Sequence, residues 1–240
     1  MLSDLELDQG INKMARRISG LLENVRQEKE MQHLTELQLI QAQVNPHFLY
    51  NTLDTIVWLI EGGMTDDAVE MISSLSIFFR TSLSKGNDII PLAEEKRHTL
   101  SYLEIQQFRY HDILEFELSI PKEMDVIQVP KLSIQPLAEN ALYHGIKNRR
   151  GKGKITITGR EEENAIVLTV SDNGQGMTPE RLHEVQEAIR TGERAGFGLA
   201  AVAERIALYY GPGYGMTISS EEGVGTTVEI RLGKNIQPKS

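Results

Sequence analysis

The sequence contains no cysteine, which excludes disulfides, thiolate zinc sites and cysteine nucleophiles and suits a reducing compartment. No apolar run approaches the roughly 18 residues that cross a bilayer. A signal peptide is also missing, because Asp4, Glu6 and Asp8 stand where a basic start and an apolar core belong. The chain is therefore expected to be soluble. Positive charge is scarce: 25 Lys and Arg against 34 Asp and Glu give a net charge of −9. General nucleic-acid binding would show a basic footprint, so no nucleic-acid partner is expected. What remains is ordinary globular composition, 40% hydrophobic and 25% charged, in 240 residues. That length accommodates one large domain or two modest ones.

Periodicity divides the chain. Ile11, Met14, Ile18, Leu21 and Val25 alternate steps of three and four, a coiled-coil seam. It resumes out of phase at Met31, Leu34 and Leu37, as a stutter does. A helix that long with so narrow a stripe needs a partner, and a second copy about a two-fold axis is the simplest one. The alternative is a single amphipathic helix on a globular body. Pro46 interrupts the pattern, either as the first residue of a new helix capped by Asn45 or as a kink. The kink is favoured, since Leu49, Leu53, Ile56 and Ile60 continue the apolar positions. His47, Asn51 and Asp54 then share one face. Gly62-Gly63 ends this helix, and a return helix with Val69, Ile72, Leu75, Phe79 and Leu83 stops near Gly86-Asn87. Two antiparallel helices per chain, doubled, make a dimeric four-helix bundle.

After Asn87 the pattern alternates. It predicts helices over Leu92–Tyr110, Pro130–Lys147, Thr178–Arg190 and Gly198–Tyr210, and strands over Leu114–Ile120, Lys154–Gly159, Ala165–Ser171, Met216–Ser220 and Thr226–Leu232. That order implies a two-layer α/β sandwich following the helical part. The expected domains are 1–30, a signalling helix; 31–87, the helical hairpin; and 88–240, the sandwich.

Three stretches of the sandwich carry ligand chemistry. One helix holds Glu139, Asn140 and His144 within two turns, and an amide oxygen at Asn140 can complete a Mg²⁺ shell otherwise filled by phosphates and waters. Asp172 ends an apolar strand ahead of Gly174 and Gly176. Its carboxylate can accept from an exocyclic amine while the glycines permit close backbone approach. Gly196-Phe197-Gly198 leads into a helix, whose free amides and dipole suit an anion. Each has a plainer reading as wet helix face, strand-to-loop turn or lone glycine pair, but their order is more informative than any one of them. A histidine beside proline in a helix ahead of such a domain is a candidate phosphate acceptor. His33, His98, His111 and His183 show no metal-ligand spacing and receive no role.

Asn140, Asp172-x-Gly174-x-Gly176, Gly196-x-Gly198 and Gly223-x-Gly225-Thr226 resemble the nucleotide-binding boxes of the GHKL (Bergerat) ATPase superfamily. Asn45-Pro46-His47-Phe48-Leu49-Tyr50-Asn51 is similar to the phosphoacceptor box of one branch, the LytS/YesM-like sensor histidine kinases. Tyr102–Arg109 and Gln135–Asn140 resemble segments of that branch, and the first thirty residues look more loosely like the last helix of a HAMP relay. The resemblance implies ATP and Mg²⁺ as cofactors and autophosphorylation of His47, with Asn51 its helical neighbour. It implies that Asn140 holds the metal, with Glu139 ordering a metal-bound water or taking a proton. Asp172 would read the adenine amine with Thr226 in support, while Gly174, Gly176, Gly196 and Gly198 frame base and phosphates. His144 would lie near a phosphate, and residues 177–195 would form a lid. The implied partners are a second copy of the chain and the receiver domain of a response regulator. The implied location is the cytoplasmic side of the cell membrane, with an upstream sensor region outside this chain. The chain departs from the branch at Phe48, where many histidine kinases carry an acid, and at Ala200-Ala201, where an Arg-Asn pair is usual. A GHKL serine kinase of the anti-sigma type and a nucleotide-binding pseudokinase relay are the competing readings.

Overall fold

The computed structural model describes residues 46–82, 88–147, 149, 151–191, 198–234 and 236. The coiled-coil seam of residues 11–44, the choice between kink and new helix before Pro46, and the Gly196 turn lie outside them. The chain divides into two units, residues 1–50 and 51–240.

Helix α1 (Pro46–Glu61) and helix α2 (Thr65–Ser82) are joined as the glycine pair predicts. Met64 N–H reaches the Leu59 carbonyl at 2.8 Å and Gly63 N–H reaches Ile60 at 3.0 Å, a Schellman closure. It requires the left-handed φ of 75° that Gly63 adopts without cost. Ala68, Met71, Ser74, Phe78 and Ser82 form the buried stripe of α2, and α2 packs on α3 (Leu92–Arg109). Apolar positions that the sequence assigns to a dimeric bundle are open in the single chain: Val69 is 58% and Ile72 49% exposed, as are Leu53 and Ile60 of α1 at 44% and 54%.

The sheet of the sandwich has the order β2-β4-β5-β7-β6. Its strands are β2 (Leu114–Ser119), β4 (Gly153–Glu161), β5 (Ala165–Asp172), β6 (Gly215–Glu221) and β7 (Gly225–Gly233). Only β2 and β4 run parallel. One face carries Ile155, Ile157, Val170, Val228 and Ile230 into the core, against a layer built from α3, α4 (Gln135–Asn140), α5 (Pro179–Thr191) and α6 (Gly198–Tyr210). The other face is polar, crossed by ion pairs such as Arg160–Glu229 at 2.7 Å and Lys154–Glu117 at 2.6 Å. Being exposed, these contribute little. That division is the usual one for a sheet with one wet side.

The stretch expected as one helix from Pro130 differs. Gln128–Pro130 is strand β3, paired antiparallel with β1 (Ile89–Pro91) in a separate two-stranded sheet. Helix α4 starts only at Gln135, because Leu132 takes a φ of 60° and the Leu132 and Ile134 amides donate to the Glu95 carboxylate instead of to a helix ladder. After Asn140 the helix loosens into a π turn over Ala141–Ile146. Strands of three residues, such as β1 and β3, are too short to leave a periodic signal.

Candidate functional site

A cavity of about 310 Å³ opens between the helical layer and the ends of β5 and β7, within the size range of small-molecule pockets. Asn140, His144, Asp172, Gly176 and Thr226 line it together, five of the residues singled out by sequence. Gly145, Gln175, Met177, Thr178, Arg181, Val185, Leu199 and Glu222 complete the lining.

Asp172 is the pivot. It ends β5, the central strand, paired on one side with Ile155 and on the other with Thr226. Its Oδ1 accepts the Gly174 amide at 2.8 Å. Burial pushes the carboxyl up to about 6, against the downward pull of the Gly174 and Thr226 amides. A half-sheltered acceptor of this kind is suited to a neutral donor such as an amine.

The glycines around it are packing requirements. A Cβ on Gly145 would overlap the Asp172 carboxylate, and one on Gly174 would overlap the Gly145 backbone. Gly176, at φ 64°, lies against the Glu221 carbonyl. The close approach that Gly174 and Gly176 permit is therefore of protein to protein, which draws the loop after β5 onto the π turn and the β6–β7 turn. Gln175 fastens the same junction: its amide reaches the Gly145 carbonyl at 3.2 Å and its side chain donates to the His144 carbonyl at 3.0 Å. π turns are frequent at functional sites, and this one presents His144 and Gly145 to the cavity.

Thr226 is buried, with Oγ1 2.9 Å from Ser220 Oγ, which in turn donates to the Gly225 carbonyl at 2.9 Å. The Thr226 hydroxyl proton thus goes to Ser220, and its lone pairs remain for a ligand or water. Among the described residues no group of three His, Asp or Glu side chains could hold a metal by itself. Asn140 offers a single neutral oxygen, which fits a cation brought in with phosphates and water.

Other sequence-singled residues fall outside the lining. Glu139 faces away from the cavity, beside Tyr102 and Tyr143, and burial holds its carboxyl above the usual range. Gly198 opens α6, with no described residue within 4 Å of where a Cβ would stand, and its neighbour Leu199 reaches the cavity. Gly174 lies behind the lining. His47 is exposed on α1, and the Asn51 carbonyl on the same helix accepts the Thr55 hydroxyl at 2.8 Å. Sequence reasoning missed Gln175 and Glu222, and placed Arg181 in the expected lid of residues 177–195 without a role of its own. Arg181 had one readable signal, its place in the first turn of a helix opened by Thr178-Pro179.

Residues 35–114 match the family model described as histidine kinase, and residues 130–236 match the one described as histidine kinase-, DNA gyrase B-, and HSP90-like ATPase. Sensor histidine kinase YesM of Bacillus subtilis is 36% identical over 226 residues, 94% of this chain and 38% of that protein. Sensor histidine kinase BtsS of Escherichia coli K12 is 32% identical over 228 residues, again 94% and 38%. Sensor protein LytS of Bacillus subtilis is 31% identical over 199 residues, 82% of this chain and 33% of that protein. The chain thus spans 38% of the length of the first two of these relatives. A histidine-kinase segment ahead of an ATP-binding domain, with relatives of one branch matched through both, places the chain in the LytS/YesM-like sensor histidine kinases.

Proposed function

We propose that this chain is the cytoplasmic kinase portion of a sensor histidine kinase, phosphorylating His47 from ATP and passing the phosphoryl group to an aspartate of a receiver domain. The observation that carries the reading is the meeting of Asp172, Asn140 and Thr226 in one glycine-packed cavity, in a chain that also holds the Asn45–Asn51 box. Asp172 accepts the adenine amine and Thr226 supports that contact. Asn140 supplies one oxygen to Mg²⁺, and His144 and Arg181 stand at the cavity wall where phosphate charge is expected. Bound Mg²⁺ supplies charge neutralisation of the phosphates.

His47 contributes the nucleophile. A ring nitrogen lone pair forms the N–P bond as the bond from the γ-phosphorus to ADP breaks, and the ring loses its proton to solvent or a base. The neutral imidazole already carries the attacking lone pair, so the attack itself needs no neighbouring acid to prepare the ring. That makes Phe48, in place of an acid, tolerable. Glu139 is the nearest acid in sequence to Asn140, and burial raises its affinity for protons. Beside Tyr102 and Tyr143, however, it lies outside the cavity, so solvent is the simpler destination for the proton.

The exposed apolar side chains Leu53, Val57, Ile60, Val69 and Ile72 on α1 and α2 support a dimer through the hairpin. The proposed division is a signalling helix over 1–30, a dimerising phosphoacceptor hairpin over 31–87 and the ATP-binding domain over 88–240, held at the cytoplasmic face of the cell membrane by an upstream sensor region. Incubation with labelled ATP and Mg²⁺ tests the reading. The expected product is acid-labile phosphate that disappears in His47→Gln. Acid-stable phosphate would indicate a serine kinase instead, and bound ATP without any phosphorylation would indicate a pseudokinase relay.

A further inference from the structure

Where the last turn of α2, the middle of α3 and the start of α4 meet, a buried polar cluster lies outside the nucleotide cavity. His98 of α3 is 2% exposed, with its ring stacked on Phe78 of α2 at a centroid distance of 4.7 Å. Its Nδ1 lies 2.8 Å from Thr81 Oγ1 of α2, and its Nε2 lies 3.1 Å from Gln135 Oε1, the first residue of α4. An amide oxygen only accepts, so Nε2 carries the ring proton and donates to Gln135. Nδ1 is left as an acceptor for the Thr81 hydroxyl, whose single proton it shares with the Ile77 and Phe78 carbonyls at 2.9 and 3.0 Å. Burial lowers His98 to about 4, so at neutral pH the ring holds one proton and its two ends are distinct.

The same junction is tied in parallel. Glu95, one turn earlier on α3 and fully buried, accepts the Leu132 and Ile134 amides at 2.9 and 2.8 Å. Lys131 donates through Nζ to the Ser82 carbonyl at the end of α2, and Arg205 of α6 donates to the Lys131 carbonyl. The segment that launches α4 is thereby held to α2, α3 and α6. Asn140 lies little more than one helical turn beyond Gln135. None of Thr81, Glu95, His98, Lys131 and Gln135 lines the cavity.

We propose that His98 is a positioning residue for the nucleotide site, a bridge through which the last turn of α2 sets the placement of Asn140. The inference rests on the reading of that cavity as the ATP site. It gives the return helix of the hairpin a physical route to the metal ligand through packed, hydrogen-bonded side chains.

Two readouts on the full chain test it: Mg²⁺-ATP affinity, and amide hydrogen exchange of residues 135–146 without nucleotide. Thr81→Val should raise the Kd about threefold to tenfold, the equivalent of one hydrogen bond, and speed exchange in 135–146 by a similar factor. Thr81→Ser should restore both. In a His98→Phe background, or Gln135→Leu if the first does not fold, Thr81→Val should have no further effect on either readout, since the coupling is gone. Unchanged exchange in Thr81→Val, or an equal effect in both backgrounds, would overturn the bridge. If the parent chain binds no ATP, the assignment of the cavity fails, while the exchange experiment still decides the coupling.

Discussion

Replacing Asp172 by Asn removes a charge and keeps an oxygen for the Gly174 N–H that now donates to Oδ1 at 2.8 Å. In the folded chain the carboxyl titrates at about 6, against an ordinary 3.8, because burial disfavours its charge. A raised folded value means that the contribution to stability is fully present below pH 3.8 and lost as pH rises through 6. The loss of about two units corresponds to about 3 kcal/mol above pH 7 and about 1 kcal/mol at pH 4.5. Asp172→Asn without nucleotide should therefore be more stable than the parent by about 3 kcal/mol at pH 8, with the gain falling to about 1 kcal/mol at pH 4.5. Urea unfolding followed by circular dichroism reads this directly, with an unchanged slope showing that the denatured state is comparable. Mg²⁺-ATP should raise the midpoint of the parent and leave the variant unmoved. ATP affinity of the parent should fall as pH drops through 6, where the acceptor gains its proton. A variant no more stable than the parent at pH 8, or equally stabilised at both pH values, would refute the claim that the site holds a charge disfavoured by its own fold.

Gly174→Ala puts a methyl group into the Gly145 backbone; ATP binding should weaken more than tenfold, and urea unfolding should show a loss of about 1–3 kcal/mol, the usual cost of overpacking. Met71→Ala empties a fully buried position between α2 and α3, with an expected cost of about 2–5 kcal/mol by urea unfolding. Ile72→Glu charges the open face of α2, where Ile72 is half exposed. Sedimentation equilibrium should show a shift toward monomer, while circular dichroism and ATP affinity stay at parental values.

The features legible in the sequence are those with local causes. The Gly62-Gly63 stop, the strand ending at Asp172 and the helix opened at Pro179 each depend on residues within a turn of themselves, and the structure has them there. The helix expected from Pro130 starts late because of Glu95, thirty-five positions upstream of Pro130. No local pattern carries that information. The second face of α2, by which it packs on α3, was hidden for a similar reason: it includes the small Ala68 and Ser74, and only tertiary packing makes such residues core. Asp172, Asn140 and Thr226 were legible through their glycine context, and the cavity gathers them. Glu139 sits beside Asn140 in sequence, yet one helical step turns its side chain toward Tyr102 and Tyr143. His98 looked like an idle histidine, because its two partners lie 17 and 37 positions away.

The pairing of Asp172 with Thr226 joins positions far apart in the chain, across the central strand and one of the last strands described. Contacts of that span form slowly and late. During synthesis, Asp172 and Thr226 therefore have no common wall until β7 has left the ribosome. On the proposed function, a nascent chain that stops short of β7 carries the histidine hairpin without a nucleotide cavity to serve it.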